Sequence, residues 1–166
     1  ILHLVRLGYD YLSLKNAVWD TTTNIFPELF RAAITGINPG MEADDVERLL
    51  TDVKLSLENE DLGKAFYEKL TERSGTRLID FVDFSNNSFH VVTELPCKNG
   101  DDEFRPDMTL LINGLPLVFI EPRVTFPQPA FPGTFDKAYI LFQVRRVHGL
   151  CYSQVCSKAG STSRSW

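Results

Sequence analysis

The sequence has no long apolar run and few cysteines. No stretch approaches the roughly 18 uninterrupted apolar residues that a membrane-spanning helix needs. The first residues do not follow the order of basic, apolar and small residues that marks a secretory signal. Three cysteines among 166 residues are too few for a disulfide scaffold, and an odd number favours a reducing compartment. These absences predict a cytoplasmic protein without membrane contact.

Basic charge is scarce in the first 121 residues, which carry 11 Lys and Arg against 21 Asp and Glu. The whole chain has a formal net charge of -5, which argues against a protein that binds nucleic acid mainly through its own cations. It leaves open an enzyme that approaches DNA through a metal ion. The sequence also contains no Gly-x-x-x-x-Gly-Lys-Ser/Thr motif, so we expect no ATP site in this chain.

The apolar fraction of 43% is sufficient for a folded core, but the composition changes near residue 121. Residues 122–166 carry 6 Lys and Arg against a single Asp, and four of the nine prolines fall at the start of this segment. We therefore predict a single domain over 1–166. It divides into a mainly helical part (1–75), a strand meander (76–121) and an atypical basic tail (122–166).

The spacing of apolar residues predicts the secondary structure of the body. Three- and four-residue spacings predict helices over 26–34, 42–57 and 64–72. Runs rich in β-branched and aromatic residues then predict strands over 76–84, 89–95 and 108–120. Within the last run Asn-Gly is a strong hairpin signal. The pattern predicts an α/β domain with a mixed sheet flanked by helices, and one further helix over 135–147.

Two carboxylates bound this predicted hairpin. Asp107 precedes its first strand, and Glu121 follows the apolar run Leu-Val-Phe-Ile of its second. A charge at the end of an apolar strand is costly to bury unless it has a partner. The non-functional interpretation is a pair of exposed acids beside turns. The functional alternative is a site that binds a cation.

The hairpin register decides between these alternatives. A two-residue loop at Asn113-Gly114 would place Asp107 opposite Ile120, and Asp107 and Glu121 would then lie on opposite faces. One extra residue in a loop or bulge, with Gly114 left-handed, would pair Asp107 with Glu121 and bring their Cβ atoms to about 4.5–5.5 Å. Two carboxylates at that range repel each other unless a proton or a cation lies between them.

A hard divalent cation, Mg²⁺ or Mn²⁺, is the natural occupant of such a carboxylate pair. Arg123 would point to the same face as Glu121, because strand side chains alternate. A positive charge there would stabilise the negative charge that develops on a phosphate undergoing cleavage.

This stretch resembles a known nuclease signature. Pro-Asp, about a dozen mostly apolar residues and then Glu-Xaa-basic are similar to the PD-(D/E)xK motif. In order and spacing, the wider sequence resembles the N-terminal nuclease domain of type I restriction enzyme R subunits. The segments that carry the resemblance are 7–12, 77–81, 86–92, 105–110 and 112–121.

The resemblance implies a restriction-endonuclease-like fold and an endonuclease that cuts double-stranded DNA with Mg²⁺. Asp107 and Glu121 would bind the metal, and Arg123 would replace the family's Lys. In the family this domain precedes an ATP-driven translocase, and the R subunit works with specificity and methyltransferase subunits. Gln143 partly matches a family Gln on a later helix and is a candidate for site or DNA support.

The chain departs from the family directly after Glu121. The family has Glu-Xaa-Lys, whereas this chain has Pro122 and Arg123. Pro removes a ladder donor, and Arg is larger than Lys and not equivalent to it at a tight site. Because composition breaks at the same point, the tail is either a DNA-facing segment or a frameshifted or imperfectly determined sequence. Two alternatives follow: an impaired nuclease-like domain that only binds DNA or docks to partner subunits, and an acidic interaction domain without a nucleic-acid role.

Overall fold

A computed structural model describes residues 1–59, 61, 63–72, 74–99, 102–120 and 138–139 of the chain. The first half of the chain is mainly helical, and the described part of the second half consists mainly of strands. The helices are α1 (Leu2–Arg6), α2 (Pro27–Ile37), α3 (Ala43–Glu58) and α4 (Lys64–Leu70). The strands are β1 (Asp10–Tyr11), β2 (Phe89–Thr93), β3 (Cys97–Asn99), β4 (Asp102–Phe104), β5 (Met108–Ile112), β6 (Leu115–Ile120) and β7 (Ala138–Tyr139).

Five of the strands form one mixed sheet in the order β1-β2-β5-β6-β7. β1 runs parallel to β2, and the other neighbours are antiparallel. β3 and β4 form a separate two-stranded ribbon. The predicted combination of helices with a mixed sheet is confirmed. No helix in the described part of the chain has the length and apolar character needed to cross a membrane.

The predicted helices over 26–34, 42–57 and 64–72 correspond to α2, α3 and α4. α2 begins at Pro27, where the missing N–H costs nothing and the fixed φ favours the first turn. Asp44 and Asp45 lie in the first turn of α3, where negative charge is favourable beside the helix dipole. The helices pack their apolar faces together and against β6, and the buried members include Phe30, Ile34, Val46, Leu50, Val53, Phe66, Leu115 and Leu117.

The central strands bury side chains on both faces. Val92, Leu111 and Phe119 lie in one apolar cluster, with Phe26, Leu95 and Cys97. The residues next to them on β2, β5 and β6 point to the other face and pack with Leu4 of α1; they are Val91, Leu110 and Ile120. A strand covered on both faces reads as an almost continuous apolar run, which is how β5 and β6 read in the sequence.

The predicted strand over 76–84 is wrong, because the structure has turns there and a short 3₁₀ helix at Phe84–Asn86. Asp80 explains the difference. Its carboxylate accepts the N–H groups of Val82 at 3.0 Å and of Asp83 at 3.1 Å. Such local side-chain hydrogen bonds compete with a strand ladder for the same backbone donors. The predicted helix over 135–147 falls mostly outside the described residues, and its two described residues, 138–139, form a strand instead.

Candidate functional site: the open end of the β5–β6 hairpin

The hairpin turns through Asn113 and Gly114, both left-handed with φ of 53° and 77°. Positive φ at both central residues is typical of the type I′ turn that Asn-Gly favours. The turn packs against the start of α2: the Phe26 N–H donates to the Gly114 carbonyl at 2.9 Å. A Cβ on Gly114 would lie 2.7 Å from the Phe30 nitrogen, so only Gly fits. The predicted hairpin turn is confirmed.

The two arms of the hairpin differ in length by one residue. Leu111 pairs with Pro116, but the next residue along β5, Leu110, pairs with Val118. Leu117 is therefore an extra residue, which forms a β-bulge. Pro116 has no N–H for the ladder, and a bulge is one of the few interior positions of a sheet where Pro is tolerated. The extra residue that the predicted pairing of Asp107 with Glu121 needs is present, and it lies in strand β6 and not in the loop.

The bulge sets the register at the far end of the hairpin, called here the open end (Glu94, Asp107, Met108 and Ile120). Met108 pairs with Ile120, and Asp107 directly precedes Met108. The Asp107 side chain is exposed, and its carboxylate makes no hydrogen bond or ion pair among the described residues. The other predicted site residues, Glu121, Arg123 and Gln143, lie outside the described residues, so their placement stays a prediction.

The sequence pattern did not single out Glu94, which directly follows β2 and whose backbone lies beside that of Asp107. Its N–H donates to the Asp107 carbonyl at 3.3 Å, so the two backbones remain adjacent just beyond the last strand pair, Thr93 with Met108. Glu94 is exposed and left-handed, with φ of 53°. The available sequence signal was its position directly after an apolar strand, the same signal that marked Glu121.

Thr109 adds a polar atom to the same face of β5 as Asp107, since it lies two residues further along the strand. It is fully buried, and its Oγ1 has no hydrogen-bond partner in the part of the chain that is described. A buried hydroxyl without a partner costs free energy and needs an explanation.

His90 lies on β2 opposite Leu111, as the predicted strand requires. Its ring Nδ1 is buried without a hydrogen-bond partner among the residues described. Burial lowers the pKa of His90, although the nearby Asp10 carboxylate acts in the opposite direction. The imidazole is therefore mainly neutral at pH 7. His90 and Val92 of β2 lie on the same face of the sheet as Thr109 of β5.

The donor atoms of the open end are carboxylate oxygens, which suit hard divalent cations. Cys97 offers no alternative chemistry, because burial raises the pKa of its thiol to about 12 and keeps it protonated. Within the described ranges no group of three or more His, Cys, Asp and Glu side chains could hold a metal ion. Any ion at the open end therefore requires ligands beyond these two acids.

A polar network holds the opposite end of the hairpin, called here the anchored end (Leu78, Asp80, Asn87, Ser88 and Asn113). Asn113 is fully buried, and its amide donates to the Leu78 carbonyl and to Asn87 Oδ1, both at 2.8 Å. Its Oδ1 accepts the Ser88 N–H at 2.8 Å. Asn87 in turn exchanges two hydrogen bonds of 2.9 Å with the Asp80 backbone. The network ties β5 and β6 to the loop before β2.

The carboxylate of Asp80 completes this anchored end. A hydrogen bond from the Asn86 amide, the Asp83 and Val82 N–H groups and the charge of Arg77 together lower the pKa of Asp80. Arg77 lies 3.2 Å from the carboxylate and also donates to the Ile37 carbonyl at the end of α2. The Asp80 carboxylate is therefore ionised, paired with Arg77 and buried.

Comparison with known proteins identifies the family that this chain resembles. The model of the family described as type I restriction enzyme R protein N terminus matches residues 1–129. A putative type I restriction enzyme MjaVIIP endonuclease subunit of Methanocaldococcus jannaschii is 39% identical over 57 residues, 34% of this chain and 5% of that protein. The putative MjaVIIIP endonuclease subunit of the same organism is 40% identical over 52 residues, 31% of this chain and 5% of that protein.

No solved structure matches the chain. The matched stretches cover only a small part of the curated relatives, about 5% of each. The family match is much broader, since it takes in most of this chain and includes α1 to α4, the hairpin and Asp107. The chain belongs to the family of type I restriction enzyme R protein N-terminal regions.

Proposed function

We propose that this chain is the nuclease domain of a type I restriction enzyme R subunit, with a restriction-endonuclease-like fold and Mg²⁺-dependent hydrolysis of DNA phosphodiester bonds. The family match and the printed names of two relatives, both endonuclease subunits, support this function. The helices of this chain flank a mixed sheet, which is compatible with the proposed fold.

One observation carries the proposal: the pairing of Met108 with Ile120 across the bulge. If that register continues by one residue, Asp107 stands opposite Glu121 and on the same face. Without the bulge, Asp107 would stand opposite Ile120, and the two acids would be separated by the sheet. A bulge next to a proposed active site is a common way to re-aim a side chain.

In the proposed site, Asp107 and Glu121 bind the ion. The positive charge of the ion offsets the repulsion between two carboxylates on one face. Bound Mg²⁺ would polarise the phosphate and lower the pKa of a bound water. Arg123 supplies a positive charge for the developing phosphate charge, in the place of the family's Lys. Gln143 supports the site or the DNA.

The proposed substrate is double-stranded DNA, and the proposed partners are the specificity and methyltransferase subunits of a type I complex. This chain contains no ATP-binding motif, so ATP-driven translocation would come from the remainder of an R subunit. The acidic body makes a general electrostatic grip on DNA weak. We therefore expect little site-specific cleavage from the chain alone, and nonspecific nicking as its measurable activity.

The test is Mg²⁺-dependent nicking of supercoiled plasmid DNA by the purified chain and its variants. Asp107→Asn and Glu121→Gln should each reduce the nicking rate by about 100-fold or more, because each removes a charge that holds the ion. Asp83→Asn is the matched control, an exposed acid outside the hairpin, and should nick like the parent chain. Unchanged nicking in both site variants would contradict the proposal.

A second candidate function is a nuclease-like domain that binds DNA or partner subunits without cutting. It is favoured by one observation, the Pro122-Arg123 pair in place of Xaa-Lys. The discriminating variant is Arg123→Lys, which should gain nicking activity if only the basic residue is deficient. Salt-dependent DNA binding by the parent chain, with no nicking in either form, would favour this second function.

A further inference from the structure

We infer that an exposed row of rings, called here the aromatic ridge (Tyr9, Phe81, Phe84 and Phe89), is a docking surface for another protein chain. The matching surface of the partner is apolar and has Lys or Arg at its border. The ridge lies outside the β5–β6 hairpin. The inference therefore goes beyond the proposed function and does not depend on DNA cleavage.

The rings of the ridge are in contact along its length. The ring centroids of Phe81 and Phe84 lie 6.5 Å apart, and the Phe84 ring stacks on Phe89 at 5.5 Å. Tyr9 meets Phe89 edge to face at 5.6 Å. Aromatic pairs in contact have such separations. The row is therefore continuous from the loop before β2 to the residue that precedes β1.

One end of the ridge is strongly exposed to solvent. Phe81 is 49% exposed, Phe84 is 52% exposed, and Val82 between them is 91% exposed. Single exposed apolar side chains are ordinary on a protein surface. Three large ones in so short a stretch, two of them with their rings in contact, form a patch of the kind that marks an interaction site.

Hydrogen bonds hold the loop that presents this patch. The Asp80 carboxylate accepts the N–H groups of Val82 at 3.0 Å and of Asp83 at 3.1 Å. The Asp83 carboxylate accepts the Ser85 N–H at 3.1 Å. A loop that is already ordered loses little conformational entropy when a partner binds. Aromatic side chains on such a loop are therefore well placed to anchor an interface.

The charge along the ridge indicates the kind of partner. Segments 9–11 and 81–89 contain two exposed acids, Asp10 and Asp83, and no Lys or Arg. DNA bases also stack on exposed aromatic rings, but their phosphates need cations beside the rings. Two ridges facing each other in a symmetric dimer would bring like charges together. Charge complementarity therefore favours a different protein chain, with a basic border around its apolar surface.

The test measures how a defined probe binds to the full 166-residue chain, by fluorescence anisotropy. The probe is a labelled synthetic helical peptide with Leu on one face and Lys along both borders of that face. We expect binding that weakens with added salt, and much weaker binding of the same peptide with Glu in place of Lys. Absence of binding, or equal binding of the two peptides, would contradict the inference.

Two variants locate the binding surface. Val82→Ser removes an exposed side chain and keeps the N–H that bonds to Asp80, so it should leave the fold intact. Phe84→Ser removes a central ring of the ridge. Each variant should weaken binding of the Leu/Lys peptide by about tenfold. Leu55→Ser is the matched control, because Leu55 is 55% exposed on α3, and it should bind the peptide like the parent chain.

Other occupants of the ridge would give different results. If both ridge variants bind the peptide as tightly as the parent chain does, the inference is wrong. If they lose affinity for single-stranded oligothymidine and not for the peptide, the ridge stacks on DNA bases. If sedimentation equilibrium shows a dimer that Val82→Ser dissociates, the ridge joins two copies of this chain. Each of these results would overturn the inference.

Discussion

The two ends of the β5–β6 hairpin are built in opposite ways. At the anchored end, Asn113 is fully buried, its amide and its carbonyl oxygen are hydrogen-bonded, and the turn packs on α2. At the open end, Asp107 and Glu94 are exposed acids without protein partners among the described residues. One hairpin thus carries a satisfied polar network at one end and unsatisfied charge at the other.

The comparison separates the part of the hairpin that holds the strands in place from the part that carries exposed acids. The anchored end fixes the position of the turn through buried hydrogen bonds, and the open end contributes no such bonds from its carboxylates in the described residues. Rigid strands that position a site more exactly than loops do are a general feature of functional sites. Stability and function should therefore respond to changes at opposite ends of the hairpin.

The largest effect on stability should come from Gly114→Ala. The added Cβ would lie 2.7 Å from backbone atoms of Phe26 and Phe30, and Ala is strained at a φ of 77°. We expect a loss of about 2–4 kcal/mol in the free energy of unfolding, measured by urea denaturation. Gly36→Ala is the control, because Gly36 is exposed in α2 with nothing within 4 Å, and it should stabilise the chain. Equal effects at both glycines would mean that the turn places no special demand on the residue at position 114.

Asn113→Gly should have the next largest effect. Gly tolerates the left-handed backbone, so the variant removes only the side-chain hydrogen bonds to Leu78, Asn87 and Ser88. The loss should be about 2 kcal/mol, because buried partners are left unpaired. Asn16→Gly, at an exposed position, is expected to change the free energy of unfolding by less than about 0.5 kcal/mol.

Asp80→Asn should change how stability depends on pH. The folded pKa of Asp80 lies below its usual value, mainly through hydrogen bonds from Asn86 and from the Asp83 N–H. Its stabilising contribution is therefore present above the unfolded pKa, about 3.9, and is lost as pH falls through the folded pKa. Urea denaturation at pH 7 and at stepwise lower pH should show the gap between parent and variant closing in acid. A gap that stays constant with pH would contradict this expectation.

Asp107→Asn should have the smallest effect on stability while removing the proposed nicking. Its carboxylate is exposed and unpaired in the described structure, so the free energy of unfolding should change by less than about 0.5 kcal/mol. Urea denaturation of the variant used in the nicking assay measures this directly. A large destabilisation would mean that the open end also holds the fold together.

The helices and the hairpin were predictable because their signals are local. The apolar spacing of α3 and the Asn-Gly turn each lie within a short stretch of sequence, so no knowledge of tertiary contacts is needed. The strand prediction over 76–84 was wrong although the contacts that decide its structure are also local. This segment has the composition of a strand, but the Asp80 carboxylate bonds to the backbone that a ladder would use.

The candidate site was predictable in part. The need for one extra residue between the acids followed from strand alternation, but its location at Leu117 depends on how β6 accommodates Pro116. Glu94 was not singled out because no spacing in the sequence reports which backbone lies beside that of Asp107. Glu121, Arg123 and Gln143 remain predictions from the sequence pattern.

Because of the bulge at Leu117, the proposed site depends on the exact number of residues in each arm of the hairpin. Each residue added to or removed from one arm of the hairpin turns the carboxylate at its end to the opposite face. Single insertions or deletions in this hairpin should therefore separate the acids, whereas an insertion compensated in the other arm restores them. The lengths of the two arms are linked, and their one-residue difference is the quantity that variation in this hairpin has to preserve.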